Sequence, residues 1–192
     1  MRVRWLGEAC LEVIGEENLL IDPNYKVKPA VIPDRILVTH EHDDHLDPEV
    51  INDFNQAELF APASVYNNFD LQGQAVKGGD IIDGKIKVLD CDCYGSEQAV
   101  SYYCDGLFHT ADTADFPEID DEVKLLFSAC FSDFYQNYVE AASRLNPDLV
   151  VPYHYDYYNH QNMDEAKGLI SRLKEAGISS RLLSPGEELI IN

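Results

Sequence analysis

The chemistry-bearing residues of this chain crowd into Thr39-His40-Glu41-His42-Asp43-Asp44-His45, directly behind the apolar run Arg35-Ile36-Leu37-Val38. Three imidazoles and the Asp44 carboxylate fall within six residues, and this loop holds half of the chain's six histidines. Imidazole nitrogen and carboxylate oxygen are the ligands that Zn²⁺ and similar borderline divalent ions take, and an open catalytic site needs about three protein ligands per ion plus a water. One loop therefore supplies enough donors for most of two sites. A polar surface loop is the competing explanation, and it suits a single histidine better than three spaced to fold toward one point. Asp112, in Phe108-His109-Thr110-Ala111-Asp112-Thr113, and His154, in Val150-Val151-Pro152-Tyr153-His154-Tyr155, are further ligand candidates where predicted strands end. Alone, such an Asp is usually a turn former and such a His a satisfied surface residue. Gathered from several strand ends into one cleft, they complete an open site.

The elements that must position these groups are readable from periodicity and turn chemistry. Short strands are predicted at Val3 to Leu6, Leu11 to Ile14 and Leu19 to Ile21, then a doubly buried strand at Ile36 to Val38. Asp47-Pro48-Glu49 reads as a helix start, with Asp as N-cap and Pro at the first position, so a strand runs into the ligand loop and out into a helix. Leu59-Phe60 opens another strand-helix step. Hairpins are expected about Asp83-Gly84 and Asp105-Gly106, dipeptides that tolerate positive φ. Lys124 to Phe127 and Leu149 to Pro152 are further strands. Helices are expected over about Phe134 to Leu145 and Asp164 to Ala176, the latter with Asn162 and Glu165 as a capping box, before a terminal strand Leu189 to Ile191. Hairpins followed by alternating strands and helices suit sheets buried beneath helices, in one domain spanning 1–192.

Asp and Glu outnumber Lys and Arg by 35 to 14, a formal charge of -21 that repels nucleic acid phosphates and anionic lipid surfaces. Lys26, Lys28 and Arg35 form the one basic cluster before the loop and read as solvated surface charge. Five cysteines without paired CxxC spacing, an N-terminus lacking a signal-peptide core and no long apolar stretch lead us to expect a soluble protein of a reducing cytoplasm with free thiols.

In order as well as composition, the chain resembles the metallo-β-lactamase superfamily. Its H-x-H-x-D-H signature after a buried strand is matched by His40, His42, Asp44 and His45; its later strand-end aspartate by Asp112, with Ala111 in place of the usual Gly; and its final histidine by His154. Flanking matches from Trp5-Leu6-Gly7 and Asp22-Pro23 to Ser184-Pro185-Gly186-Glu187 look like the compact branch around ascorbate-6-phosphate lactonase. The resemblance implies an α/β fold, the αββα sandwich of two mixed sheets flanked by helices, with metals at one sheet edge. His40 and His42 would hold the first ion, Asp44, His45 and His154 the second, and Asp112 would bridge them. The implied reaction is hydrolysis of an ester, lactone or phosphoester of a small molecule by a metal-bound hydroxide that Asp44 orients, with no nucleic acid or membrane partner and a homo-oligomer permitted.

The chain also departs from the pattern. A third first-site histidine is expected near Cys93-Tyr94-Gly95, and no histidine lies between His45 and His109. Asp92, Cys93 or Ser96 stands near that position; cysteine would favour zinc, aspartate manganese or iron. One ion or two are therefore open, as is a catalytically weakened metal- or ligand-binding protein on the same scaffold, or a diiron oxidoreductase needing a separate electron donor. Glu8 replaces a histidine that the branch often carries. His109 is either a residue that orients a ligand or a packed strand residue, His160 lies in a Tyr-rich loop (Tyr153 to His160) that we read as pocket lining, Cys91 and Cys93 are read on one strand face, and Ser101 and Ser132 show no nucleophile elbow.

Overall fold

A computed structural model describes residues 1–191. The chain opens with β1 (Arg2–Gly7), β2 (Cys10–Ile14), β3 (Leu19–Ile21) and β4 (Arg35–Leu37), passes through α1 (Pro48–Asp53), β5 (Glu58–Ala61) and α2 (Ala63–Asn68), and adds the short β6 (Gln74–Ala75). There follow β7 (Ile81–Ile82), β8 (Ile86–Cys91), β9 (Ala99–Cys104), β10 (Leu107–His109) and β11 (Leu125–Ser128), then α3 (Tyr135–Leu145), β12 (Leu149–Pro152), α4 (Met163–Glu175) and β13 (Glu188–Ile190). The strands form two mixed sheets, one in the order β13-β1-β2-β3-β4-β5-β6 and the other β12-β11-β10-β9-β8-β7.

Period-two alternation explains the layering. Leu19 and Ile21, Leu37 and Phe60 point into the large core shared with Val88, Val100, Tyr102, Phe108 and Phe127 of the second sheet. Their neighbours Leu20, Ile36 and Leu59 face outward, onto Ile51 of α1 and Val65 of α2. Tyr138, Ala141 and Ala142 of α3, with Ala166, Leu169 and Leu173 of α4, complete the opposite outer layer. This is the αββα arrangement expected, since each sheet buries both faces.

The turns follow their residues. Asp83 and Gly84, like Asp105 and Gly106, take positive φ (47° and 72°, 45° and 86°) and close the two hairpins. Asp47 caps α1 by accepting from the Glu49 amide at 2.9 Å, with Pro48 at its first position. Two expectations fail. Asn162 precedes α4 in left-handed backbone (φ 57°) and makes no side-chain cap, while Glu165 reaches away to the Ser132 hydroxyl at 2.8 Å, so there is no capping box. Arg35 is not solvated: at the start of β4 its guanidinium meets Glu17, Glu58 and Asp83, tying the β2–β3 turn and the Asp83-Gly84 hairpin to the start of β5.

For the site, the decisive feature is direction. β3, β4, β5 and β6 run parallel, and β10, β11 and β12 are parallel in the other sheet. β9 is antiparallel to both β8 and β10, so β8 and β10 point the same way. The carboxyl ends of β4, β8, β10 and β12 thus share one edge. There the Val100 amide donates to the Thr39 carbonyl at 3.0 Å and the Tyr102 hydroxyl to the Val38 carbonyl at 2.9 Å, stitching the sheets together.

Candidate metal centre

Two groups of potential metal ligands converge at this edge. His40, His42, Cys93 and Asp112 form one, and Asp44, His45, Asp112 and His154 the other, each with its ligand atoms within 4.8 Å of one another. All six residues expected from the sequence are brought together, with Asp112 common to both groups. Cys93 is the seventh, in the place where a histidine is missing: its Sγ lies 3.5 Å from His40 Nε2 and 4.0 Å from His42 Nδ1. A tight turn aims it there, closed by the Ser96 amide on the Cys93 carbonyl at 3.2 Å with Gly95 at φ 83°. Asp92 lines the adjoining cavity without joining either group, and the Ser96 hydroxyl is turned to Glu41 at 2.9 Å. Because β8 ends at Cys91, the two thiols do not share a strand face.

The surrounding bonds set the imidazole tautomers. Asp22, fully buried in left-handed backbone (φ 50°), accepts from the Thr39 amide (2.7 Å) and hydroxyl (2.8 Å) and from His45 Nδ1 (2.7 Å). With its Nδ1 proton on Asp22, His45 presents the Nε2 lone pair to the centre. The Thr39 hydroxyl, having given its proton to Asp22, accepts from His40 Nδ1 at 2.9 Å, so His40 also presents Nε2. His45 Nε2 and Asp112 Oδ1 then face each other at 3.2 Å, both buried and neither with a hydrogen-bond partner. Two orphaned polar atoms converging in this way are what a cation between them would satisfy. The donor set of imidazole, carboxylate and thiol fits a divalent ion of borderline softness.

Asp112 owes its aim to strained backbone. Ala111, at φ 54°, is clamped at both ends: its amide donates to His109 Nδ1 (3.3 Å) and its carbonyl accepts from the Tyr153 hydroxyl (2.5 Å). His109, which donates from Nε2 to the Ala9 carbonyl at 3.1 Å and stacks on Tyr153 at 5.0 Å, is both a packed strand residue and a support for the ligand turn. Burial lowers its pKa despite nearby Asp22, which keeps this tautomer neutral. His40 is lowered to about 3, mainly by burial and then by the neighbouring His45. For His154, burial acts downward but the bonds to Asp112 (3.3 Å) and Asp44 (3.0 Å) prevail, raising it to about 10. Asp44 shows the converse: burial acts upward, yet the His154 bond and the His45 charge bring it to about 2.

A cavity of about 600 Å³ opens onto both groups, lined by His42, Asp44, Cys93, Asp112 and His154 and walled by Tyr94, Phe131 and Phe134. The Tyr-rich loop was expected in this role and does not take it: Tyr153 and Tyr155 are core residues, and none of its tyrosines lines this cavity. His160 is exposed in that loop, and Glu8, paired with Lys26 at 2.9 Å, lines a smaller cavity behind Asp44. Ser101 is buried against the Thr110 carbonyl at 2.9 Å. Sequence reasoning missed Asp22, Thr39 and Tyr153 as supports; a buried Asp at a strand end ahead of the histidine loop is the signal that could have found the first.

Comparison with known proteins agrees with this architecture. The family model described as the beta-lactamase superfamily domain matches residues 2–117. A metal-dependent hydrolase of Methanoculleus marisnigri is 28% identical over an alignment of 218 residues covering 98% of this chain and 96% of the relative. Another from Desulfitobacterium hafniense is 28% identical over 238, covering 100% and 99%. Among solved structures, a metallo hydrolase from Ignicoccus hospitalis superposes with a TM-score of 0.77 at 19% identity, over 98% of this chain and 97% of that one, a likeness of fold. With more than half of its length matched by the family model and the two-sheet architecture in place, the chain belongs to the metallo-β-lactamase superfamily.

Proposed function

We propose that the protein is a metal-dependent hydrolase acting on an ester, lactone or phosphoester bond of a small molecule. The observation that carries this reading is the pair of ligand groups sharing Asp112, with two buried polar atoms left partnerless between them, at the floor of an open cavity. The relatives' description as metal-dependent hydrolases supports it.

His40, His42 and Cys93 would hold one ion, Asp44, His45 and His154 the other, and Asp112 would bridge them. When bound, such ions supply Lewis acidity toward the attacked oxygen and acidify a water to near-neutral pKa. Asp44, whose carboxyl is held at about 2 against its burial by the His154 bond and the His45 charge, borders the cavity as an ionised acceptor that would orient an incoming water. Phe131 packs edge-on against His154 at 4.5 Å between centroids, limiting that ring's rotation and excluding water from its outer face. No side-chain nucleophile is needed. Cys93, deprotonated on binding, would favour zinc over manganese or iron. All five cysteines are unpaired, which supports the reading of a reducing cytoplasm, and no helix among the described residues is long and apolar enough to cross a membrane.

The test is elemental analysis of untagged protein together with assays on a generic ester, lactone and phosphodiester. Two zinc ions per chain with turnover lost in Asp112→Ala is the expected result. Metal bound with silence across the panel would instead favour a ligand-binding protein on this scaffold.

A further inference from the structure

The cavity above the ligand groups has a charge pattern that the hydrolase reading does not use. Besides the ligands it is lined by Asp92, Asp115, Asp133 and Glu165, and neither lysine nor arginine is among its lining residues. Two divalent ions held by Asp44, Asp112 and the Cys93 thiolate would leave a single positive charge, which these four carboxylates outnumber. Asp92, Asp115 and Asp133 are exposed at the rim, whereas Asp112, at 7% side-chain exposure and with a partnerless Oδ1, marks the floor where the reacting group must come. Two aromatic residues also line the cavity and are exposed, Tyr94 at 100% and Phe134 at 44%, unusual for residues of that size. Carboxylates beside open aromatic faces are the surroundings that organic cations seek. The chain's charge of -21 adds a field that concentrates cations and thins anions around the mouth.

Resting on the hydrolase reading and narrowing it, we propose that the substrate carries an ammonium or similar organic cation beside the scissile bond, received by Asp133, Phe134 and Tyr94 while the bond lies over Asp112. Of the bond types considered, esters and lactones of amine-bearing molecules fit this wall. Phosphomonoesters, with two negative charges of their own, are repelled by it.

The probe is choline, set against its uncharged carbon isostere in which a tert-butyl group replaces the trimethylammonium, each titrated calorimetrically into the zinc-loaded protein. Choline is expected to bind about tenfold more tightly. Asp133→Asn combined with Phe134→Ala should abolish that preference with zinc content and melting temperature kept, whereas Asp53→Asn, an exposed carboxylate on α1, should leave it intact. Equal binding of the two probes, a preference that survives the double substitution, or tighter binding of inorganic phosphate than of choline would overturn the proposal. The acetate esters of both probes separate the two readings. Hydrolysis of both at one rate sinks the cation site alone; choline preference in binding with neither ester nor any member of the ester, lactone and phosphodiester panel cleaved sustains the cation site and sinks the hydrolase.

Discussion

Cys93 is where this centre differs most from the pattern it otherwise follows, and its contribution is measurable apart from turnover. A thiolate among imidazoles gives Co²⁺ an intense sulfur-to-metal charge-transfer band, whereas a histidine in the same place does not. Cobalt-loaded wild type should show that band; Cys93→Ser should lose it with one of two ions, and Cys93→His should lose it while keeping both. A band unchanged in Cys93→Ser would remove the thiol from the ligand set. Asp22 acts one bond further out. Asn tolerates the left-handed backbone at this position, so Asp22→Asn should fold, but it exchanges the charged acceptor of His45 Nδ1–H for a neutral amide. Zinc affinity is expected to fall about 10- to 100-fold by competition titration against a chelator; undiminished affinity would mean that the Thr39 hydroxyl, 3.2 Å from the same Nδ1, suffices to orient the ring.

At the scale of elements, the ligand loop after β4 and the two Asp-Gly hairpins are legible because local chemistry determines them: histidine density behind a buried strand, and dipeptides whose φ values few others tolerate. Cys93 is not legible in the same way, because its partner His40 lies 53 residues away and only strand direction brings them to one edge. Asn162 misleads for a related reason. It has a capping residue's chemistry, but Glu165, its supposed partner, serves the Ser132 turn that carries Asp133 and Phe134. That turn depends on how closely α4 approaches α3. A Cβ at Gly168 would stand 2.3 Å from the Tyr135 hydroxyl, which itself donates to the Glu165 carbonyl at 2.7 Å. Gly168→Ala gains about 1 kcal/mol in helix propensity and loses about 1–3 kcal/mol to overpacking, so net destabilisation is expected. In a Tyr135→Phe background the obstructing oxygen is gone and the loss should shrink. Urea midpoints for the four proteins of this cycle measure the coupling, and strict additivity would show that the contact is relaxed elsewhere.

For the whole molecule, pH tests whether the cluster is built around a cation. Nearly all carboxylates of this acidic chain are ionised above pH 6, and the five thiols, all pushed up by burial in the folded protein, begin to titrate in the unfolded chain only at about pH 8.5, so what changes between about pH 6 and 8 is chiefly imidazole. His154 titrates at about 10 in the folded, metal-free protein, with burial opposing but Asp112 and Asp44 prevailing, and at about 6.5 when unfolded. A folded pKa above the unfolded one contributes stability that is complete below pH about 6.5 and drains away as pH rises toward 10. His45, raised by Asp112 and Asp22 in spite of its burial, acts in the same direction. Chelated protein should therefore lose a few kcal/mol between about pH 6 and 8, read as a falling melting temperature. With zinc bound, both imidazoles serve as neutral ligands and the ion takes over the charge that their protons supplied, so the melting temperature should stay nearly flat over the same interval and lie above that of the chelated form. Parallel declines with and without zinc would mean that His45 and His154 do not bind it, and with them would go the assignment of the second ion.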